Sequence, residues 1–269
     1  MNLTEDKNKL DMNTRKIIIE AVRHVGASHI GTSFSCVEIL NAIYRSVDIN
    51  KIKNNSLDRN RVIISKGHSA AAVYSILYKY GLISKEILDT YHKNGSILCG
   101  HVSHFAPYIE HSTGALGHGL PVAVGIAVGL ISKGLKQVKN FVLLGDGEMQ
   151  EGSNWEAIML AGHMKLNNLY ILVDKNSLAG TEPLDNYCSL GNLKNKFESF
   201  DFLTFEVDGH NEDKIYSIIQ ENKNSEKPVA IICNTIKGKG VSFMENNNTW
   251  HYRPLNEDWY NKVIEDFSK

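Results

Sequence analysis

An excess of charge of either sign is missing from these 269 residues: 29 lysines and arginines stand against 30 aspartates and glutamates, for a net charge of −1. That balance offers no electrostatic footprint for nucleic acid or for an anionic membrane surface. Cysteine is scarce. Cys36, Cys99, Cys188 and Cys233 are far apart, with no CxxC pair and no zinc-ligand spacing. Such a pattern is expected of reduced thiols in a cytoplasmic protein, not of a disulfide framework. Proline occurs five times, and no low-complexity stretch, repeat or linker interrupts the chain, so it reads as a single domain over 1–269 with a polar tail at 1–10. The opening MNLTEDKNKLDMN contains no apolar signal segment. The longest apolar run, Leu120 to Ile131, carries Gly125 and Gly129; at about a dozen residues it is too short to span a bilayer and is expected to be a buried core helix. The Lys/Asn-rich run Lys51–Arg61 reads as a solvated loop. No GxGxxG or GxxxxGKS/T pattern occurs, which argues against a simple nucleotide-binding module.

What is present is an alternation. Apolar, β-branched runs at Arg61–Ser65, Phe141–Leu144, Leu169–Val173, Phe202–Val207 and Val229–Cys233 read as strands. Helix-period segments lie at Thr14–Val25, Cys36–Arg45, Ala70–Tyr80, Leu120–Ser132, Asn154–Met164 and Asp213–Asn222. Strands that alternate with helices predict an α/β fold, a parallel sheet with helices on both faces.

The stretch FVLLGDGEMQ, from Phe141, runs an apolar strand into an aspartate held between two glycines. Ligands of open α/β sheets sit beyond the carboxyl ends of the strands. There Gly145 and Gly147 permit close backbone approach, and the following helix start can aim N–H groups at an anion. The next strand ends in Asp174-Lys175-Asn176, so Asn176 follows Asp146 by roughly one β-helix-β unit and arrives at the same sheet end. An aspartate, an asparagine amide oxygen and a backbone carbonyl suit Mg²⁺, which completes its six oxygens from phosphate and water. A plain glycine turn with a solvated aspartate would need no asparagine at the matching strand end.

GDG followed by that asparagine resembles the thiamine-diphosphate fingerprint, and the surrounding motifs resemble the N-terminal part of transketolases from about residue 10 onward. The segments are ASHIGTSFS, SKGHSAAAVY, CGHVSH, STGALGHGLPVAVGIA, GDGEMQEGSNWEA and IKGKGVSFMENNNTWH, in that order. The resemblance implies a thiamine-diphosphate-binding fold in which Asp146, the Asn176 side chain and the Leu178 carbonyl hold Mg²⁺. It implies that Gly114, Leu116, Gly117, Gly145, Gly147 and Glu148, with His68 and His251, line the cofactor. His29, His68, His101 and His251 are then the catalytic imidazoles around the thiazolium ring and the sugar, a role suited to groups that exchange protons near neutrality. Glu151 and Glu156 would join a network across a subunit interface; the alternative is a pair of exposed acids complementing a helix dipole. His24, His92, His104, His163 and His210 read as structural or surface residues. His111 and His118 lie close to the cofactor segment without an implied proton-transfer role.

The pattern departs from the family at four places. Ser28 and Ile30 flank His29 where Gly and Pro are usual, Val102 follows His101 in place of Pro, and Tyr252 follows His251 in place of Gly. The departures beside His29 and His251 bear on the substrate more than on the cofactor. A full transketolase also has a second α/β domain whose glutamate activates the cofactor, and no segment here resembles it. The resemblance therefore implies one half of a split transketolase. Its partner would be a C-terminal chain, in an α2β2 heterotetramer moving a two-carbon unit between sugar phosphates. The α-chain of a 2-oxo-acid dehydrogenase, or a non-catalytic scaffold of the same fold, are the alternatives.

Overall fold

The computed structural model describes residues 14–27 and 29–268; the tail expected at 1–10, and Ser28, lie outside them. Helical residues 14–22 (α1), Ile30–Ser35 (α2), Val37–Arg45 (α3) and Ile49–Lys53 (α4) precede strand β1, Arg61–Ile64. Helices Ala70–Lys79 (α5), Lys85–Leu88 (α6) and Gly119–Ser132 (α7) lead to β2, Asn140–Gly145. Gly152–His163 (α8) crosses to β3, Leu169–Lys175. Leu193–Ser199 (α9) leads to β4, Leu203–Asp208, then Glu212–Glu221 (α10) to β5, Val229–Asn234, and Glu257–Asp266 (α11) follows.

All neighbouring strands run parallel, in the order β1-β2-β3-β5-β4. Strands buried on both faces can be apolar throughout, and β2 is buried at every position. Successive side chains point to opposite faces. Thus Phe141 and Leu143 join one core cluster with Tyr170, Leu172 and Ile231, while Val142 and Leu144 join the other with Ile171, Val173 and Ile232. The first cluster takes in α2, α3, α5, α10 and α11; the second takes in α7, α8 and α9.

Two expectations need correcting. The run Lys51–Arg61 is not all loop: Asp48 caps α4 by accepting from the N–H groups of Asn50 and Lys51, and α4 buries Ile52. A single apolar contact and an aspartate cap outweigh the polar composition. Nor is α7 buried all round. Leu120, Ala123, Val124, Ala127 and Leu130 are buried, but Gly125 is exposed and Ile126, Val128 and Ile131 are half-buried. Beside them α8 and its C-terminal end expose Met159, Leu160 and Met164. No helix among the described residues is long and apolar enough to cross a membrane.

Candidate active site

Strands β1, β2, β3 and β5 each deliver a polar group to one cavity. Lys66 follows β1, Asp146 follows β2, Asn176 follows β3 and Lys237 follows β5; all four line the cavity. His68, Leu116, Gly145, Gly147, Glu148, Leu178 and His251 line it too. The register explains the meeting of the first pieces: Gly145 pairs with Asp174, so the turns after β2 and β3 leave the sheet side by side.

Asp146 organises those turns. One carboxylate oxygen accepts from Gly147 N at 2.8 Å and the other from Ser177 N, across to the end of β3. Ser177 has a φ of 61°, and Asn176 Oδ1 accepts from Leu178 N at 3.1 Å. Burial, with Asp174 behind it, pushes the Asp146 carboxyl up to about 6. A carboxylate so placed is stabilised by any cation that joins it.

Beneath the cavity lies a buried ion pair. The Lys66 ammonium bonds the Asp174 carboxylate, the Thr32 carbonyl at 3.1 Å and Ser35 Oγ at 3.2 Å. Asp174 also accepts from Ser35 Oγ at 2.6 Å and from Thr235 Oγ1. Burial pulls the Lys66 ammonium down, but Asp174 more than offsets this and leaves it above its ordinary value. Lys237, with no such pair among the described residues, is drawn down to about 8, chiefly by burial and then by Lys66. Its Nζ donates to the carbonyls of Leu178 at 3.3 Å and Ala179 at 3.0 Å, so the Leu178 carbonyl already faces a positive group.

Glu148 was expected among the cofactor residues. It lines the cavity, yet its oxygens are engaged by the protein: Ser65 Oγ and Gly117 N donate to Oε1, the latter at 3.0 Å, and Gly145 N to Oε2 at 3.3 Å. Ser65 Oγ in turn accepts from Gly119 N at 3.1 Å. One buried carboxylate thereby ties the end of β1, the end of β2 and the entry to α7. Gly117 needs to be glycine here, with φ of 82° and the Glu151 side chain 2.6 Å from where a Cβ would stand. Gly114 lies against the His101 ring. Glu151 lines the cavity and Glu156 lies exposed on α8.

The four singled-out imidazoles meet. His29 is 5.5 Å from His68, 5.5 Å from His101 and 5.2 Å from His251, centroid to centroid, and His68 is 5.7 Å from His251. His29 caps α2 in a left-handed conformation, φ 65°, and its N–H donates to the His251 carbonyl at 3.1 Å. Burial lowers all four; His29 falls to about 4, with His101 next among the causes, and His251 to about 3, with Lys237 next. The remaining histidines that were read as structural do not line the cavity. His210 is the clearest: Nδ1 lies 2.9 Å from Glu38, which pairs with Arg15, and Nε2 accepts from Ile236 N at 2.8 Å.

Folding holds the His29 ring neutral, and unfolding lets it take up a proton below the ordinary value of 6.5. Its contribution to stability is therefore present above about 6.5 and is lost as pH falls toward about 4. In urea unfolding, His29→Asn is expected to lose less of its midpoint over that window than the parent chain. Asp146 and Glu148, both raised by burial, act in the opposite sense but equally in both chains. Parallel profiles would refute a neutral His29.

Lys66, Lys237 and Thr32 were not singled out from the sequence. The available signal was a lysine placed just beyond an apolar strand, in SKGHS and in IKGKG. Thr32 has none, because a threonine within a short helix looks ordinary.

The residues present fit a diphosphate cofactor. Thr32 Oγ1 and His251 Nδ1 are buried at the cavity without a hydrogen-bond partner among the described residues, and two lysines, a carboxylate and the glycine turns converge there. Fold and site together define a diphosphate-binding α/β domain of the thiamine-diphosphate type. The chain belongs to the transketolase family: residues 7–267 match the model described as "Transketolase, thiamine diphosphate binding domain". It is 36% identical to the A chain of the two-part apulose-4-phosphate transketolase of Phocaeicola vulgatus, over 100% of this chain and 94% of that protein. It is 34% identical to the SqwG chain of the 6-deoxy-6-sulfo-D-fructose transketolase of a Clostridium species, over 95% and 94%. The crystal structure of Campylobacter jejuni transketolase superposes with a TM-score of 0.85 at 28% identity, covering 96% of this chain and 42% of that one. The chain thus spans less than half the length of that transketolase.

Proposed function

We propose that this chain is the N-terminal, cofactor-holding half of a two-chain transketolase, which moves a two-carbon glycolaldehyde unit from a ketose or its phosphate to an aldose. The observation that carries the reading is a shared wall: His68 and His251 line the diphosphate cavity and also belong to the imidazole cluster. Chemistry begun at the cofactor would meet proton-exchanging groups at once.

Asp146, Asn176 and the Leu178 carbonyl would hold Mg²⁺ or another divalent cation, and the cation with Lys66, Lys237 and Thr32 would hold the diphosphate. When bound, thiamine diphosphate supplies the nucleophilic carbon that protein side chains lack. The imidazoles of His29, His68, His101 and His251 hydrogen-bond the sugar hydroxyls, and being neutral they can accept the hydroxyl proton released as the carbon–carbon bond breaks. A glutamate that activates the cofactor would come from a C-terminal partner in an α2β2 assembly. The apolar surface of Met159, Leu160 and Met164 beside α7, flanked by Glu156, supports docking of another chain there. The Phocaeicola relative is named as one component of its transketolase, which supports a partner as well. A cytoplasmic setting accords with four free thiols.

The test is reconstitution. The chain alone, and mixed with the protein encoded beside it, is titrated calorimetrically with thiamine diphosphate and Mg²⁺, then assayed with ketose plus aldose. Cation-dependent binding that strengthens with the partner, and two-carbon transfer only in the mixture, are expected. Turnover of a 2-oxo acid instead would assign the chain to the oxo-acid dehydrogenases; binding without turnover would make it a scaffold.

A further inference from the structure

Four rings close around His29. Three are the imidazoles already described; the fourth is Tyr252, edge-on at 5.3 Å and 83°. The ring is fixed by its backbone. His251, immediately before it, is tied to His29 through the 3.1 Å bond from His29 N, and Arg253, immediately after it, stacks over Trp250 and Trp259 at 5.7 and 5.6 Å. Yet Tyr252 itself is 72% exposed, and its hydroxyl makes no hydrogen bond among the described residues.

A large ring held beside a catalytic cluster, with one face and its polar tip left open, is a contact surface for what enters that cluster. We propose that Tyr252 is a specificity-determining residue, whose ring forms the outer wall of the imidazole cluster and packs on the sugar carbons that lead away from the reacting bond. The inference rests on the sugar-transfer reading above. The carbons of a sugar chain present C–H groups to an aromatic face, and the phenol can donate to or accept from one hydroxyl. The ring carries no charge, so it selects by the shape of the chain and not by a terminal phosphate or sulfonate.

The experiment uses the reconstituted two-chain enzyme with Tyr252→Ala and Tyr252→Phe. Four donors are compared by kcat/KM: xylulose 5-phosphate, fructose 6-phosphate, apulose 4-phosphate and 6-deoxy-6-sulfofructose. Thiamine diphosphate affinity and partner binding are measured in parallel. The alanine variant is expected to change the ratio between the best donor and at least one other by about 10-fold or more, the scale of a lost pocket contact. Cofactor affinity and assembly should stay within about two-fold, and the phenylalanine variant should keep most of the parent ratio. Ratios unchanged in the alanine variant overturn the proposal, as does a uniform loss across donors, which would mark a residue that only positions His29. Weakened assembly with unchanged ratios would make Tyr252 a partner contact and also overturn it. If the parent enzyme turns over no ketose at all, the sugar-transfer reading fails and this inference fails with it.

Discussion

Asp146→Ala is expected to abolish cation-dependent retention of thiamine diphosphate, with affinity lowered by more than about 100-fold. Loss of an outer-sphere partner of a metal ligand typically costs about 10- to 100-fold, and Asp146 is placed as a direct ligand. Two effects combine. The alanine removes a carboxylate that faces the cavity from the end of β2 with no ion pair to a lysine among the described residues. It also releases the N–H groups of Gly147 and Ser177 that hold the turns after β2 and β3 together. Asn176→Ala removes one neutral oxygen that now accepts from Leu178 N, so a smaller loss of the same kind is expected. No group of three His, Cys, Asp or Glu among the described residues is arranged to hold a metal. The cation should therefore bind weakly alone and tightly only when diphosphate oxygens complete its shell. Calorimetric titrations of cation, cofactor and both together check this. Undiminished cofactor retention in both variants would sink the metal assignment.

The largest loss of stability is expected from Lys66→Met. Asp174 is 0% exposed and Lys66 1%, so the methionine would leave a carboxylate in the core with hydroxyl partners but no counter-charge. Removing one member of a buried pair typically costs about 3–5 kcal/mol. The urea midpoint reports it, and the double variant Lys66→Met/Asp174→Asn should recover most of it. The asparagine oxygen can still accept from Ser35 or Thr235, and no buried charge remains. A loss below about 1 kcal/mol in the single variant would mean that water reaches Asp174 and screens it. The same substitution removes a positive group from the cavity wall, so weaker cofactor binding should accompany it even in the rescued double variant. That persistence separates the two tasks of Lys66: balancing Asp174 below and facing an anion above.

Much of this arrangement could be read along the chain. The five strands fall within a residue or two of their expected places, because a buried parallel strand announces itself by an unbroken apolar run. The helices matching α3, α5, α7, α8 and α10 do so through their 3.6-residue period. Short elements without a full period, such as α2, α6 and α9, carry no such sign, and α11 was not read either. The GDG turn, the asparagine at the end of the next strand and the four histidines were visible as residue types at telling positions. What they do together was not. His29 meets His251 only because the backbone after β5 returns to cap α2. Lys66 counts as a buried ammonium only once Asp174, 108 residues away, is found against it. Glu148 looked like a cofactor residue until Ser65, Gly117 and Gly145 were seen to occupy its oxygens. Residue identity and neighbours along the chain suffice for the elements, for the chemistry available at the sheet's carboxyl edge and for the family. Which charges are paired, which carboxylate is left for a cation and which side of α7 stays uncovered are settled in three dimensions. Those are set by distances across the parallel crossovers, where about an ångström separates a satisfied buried group from an available one.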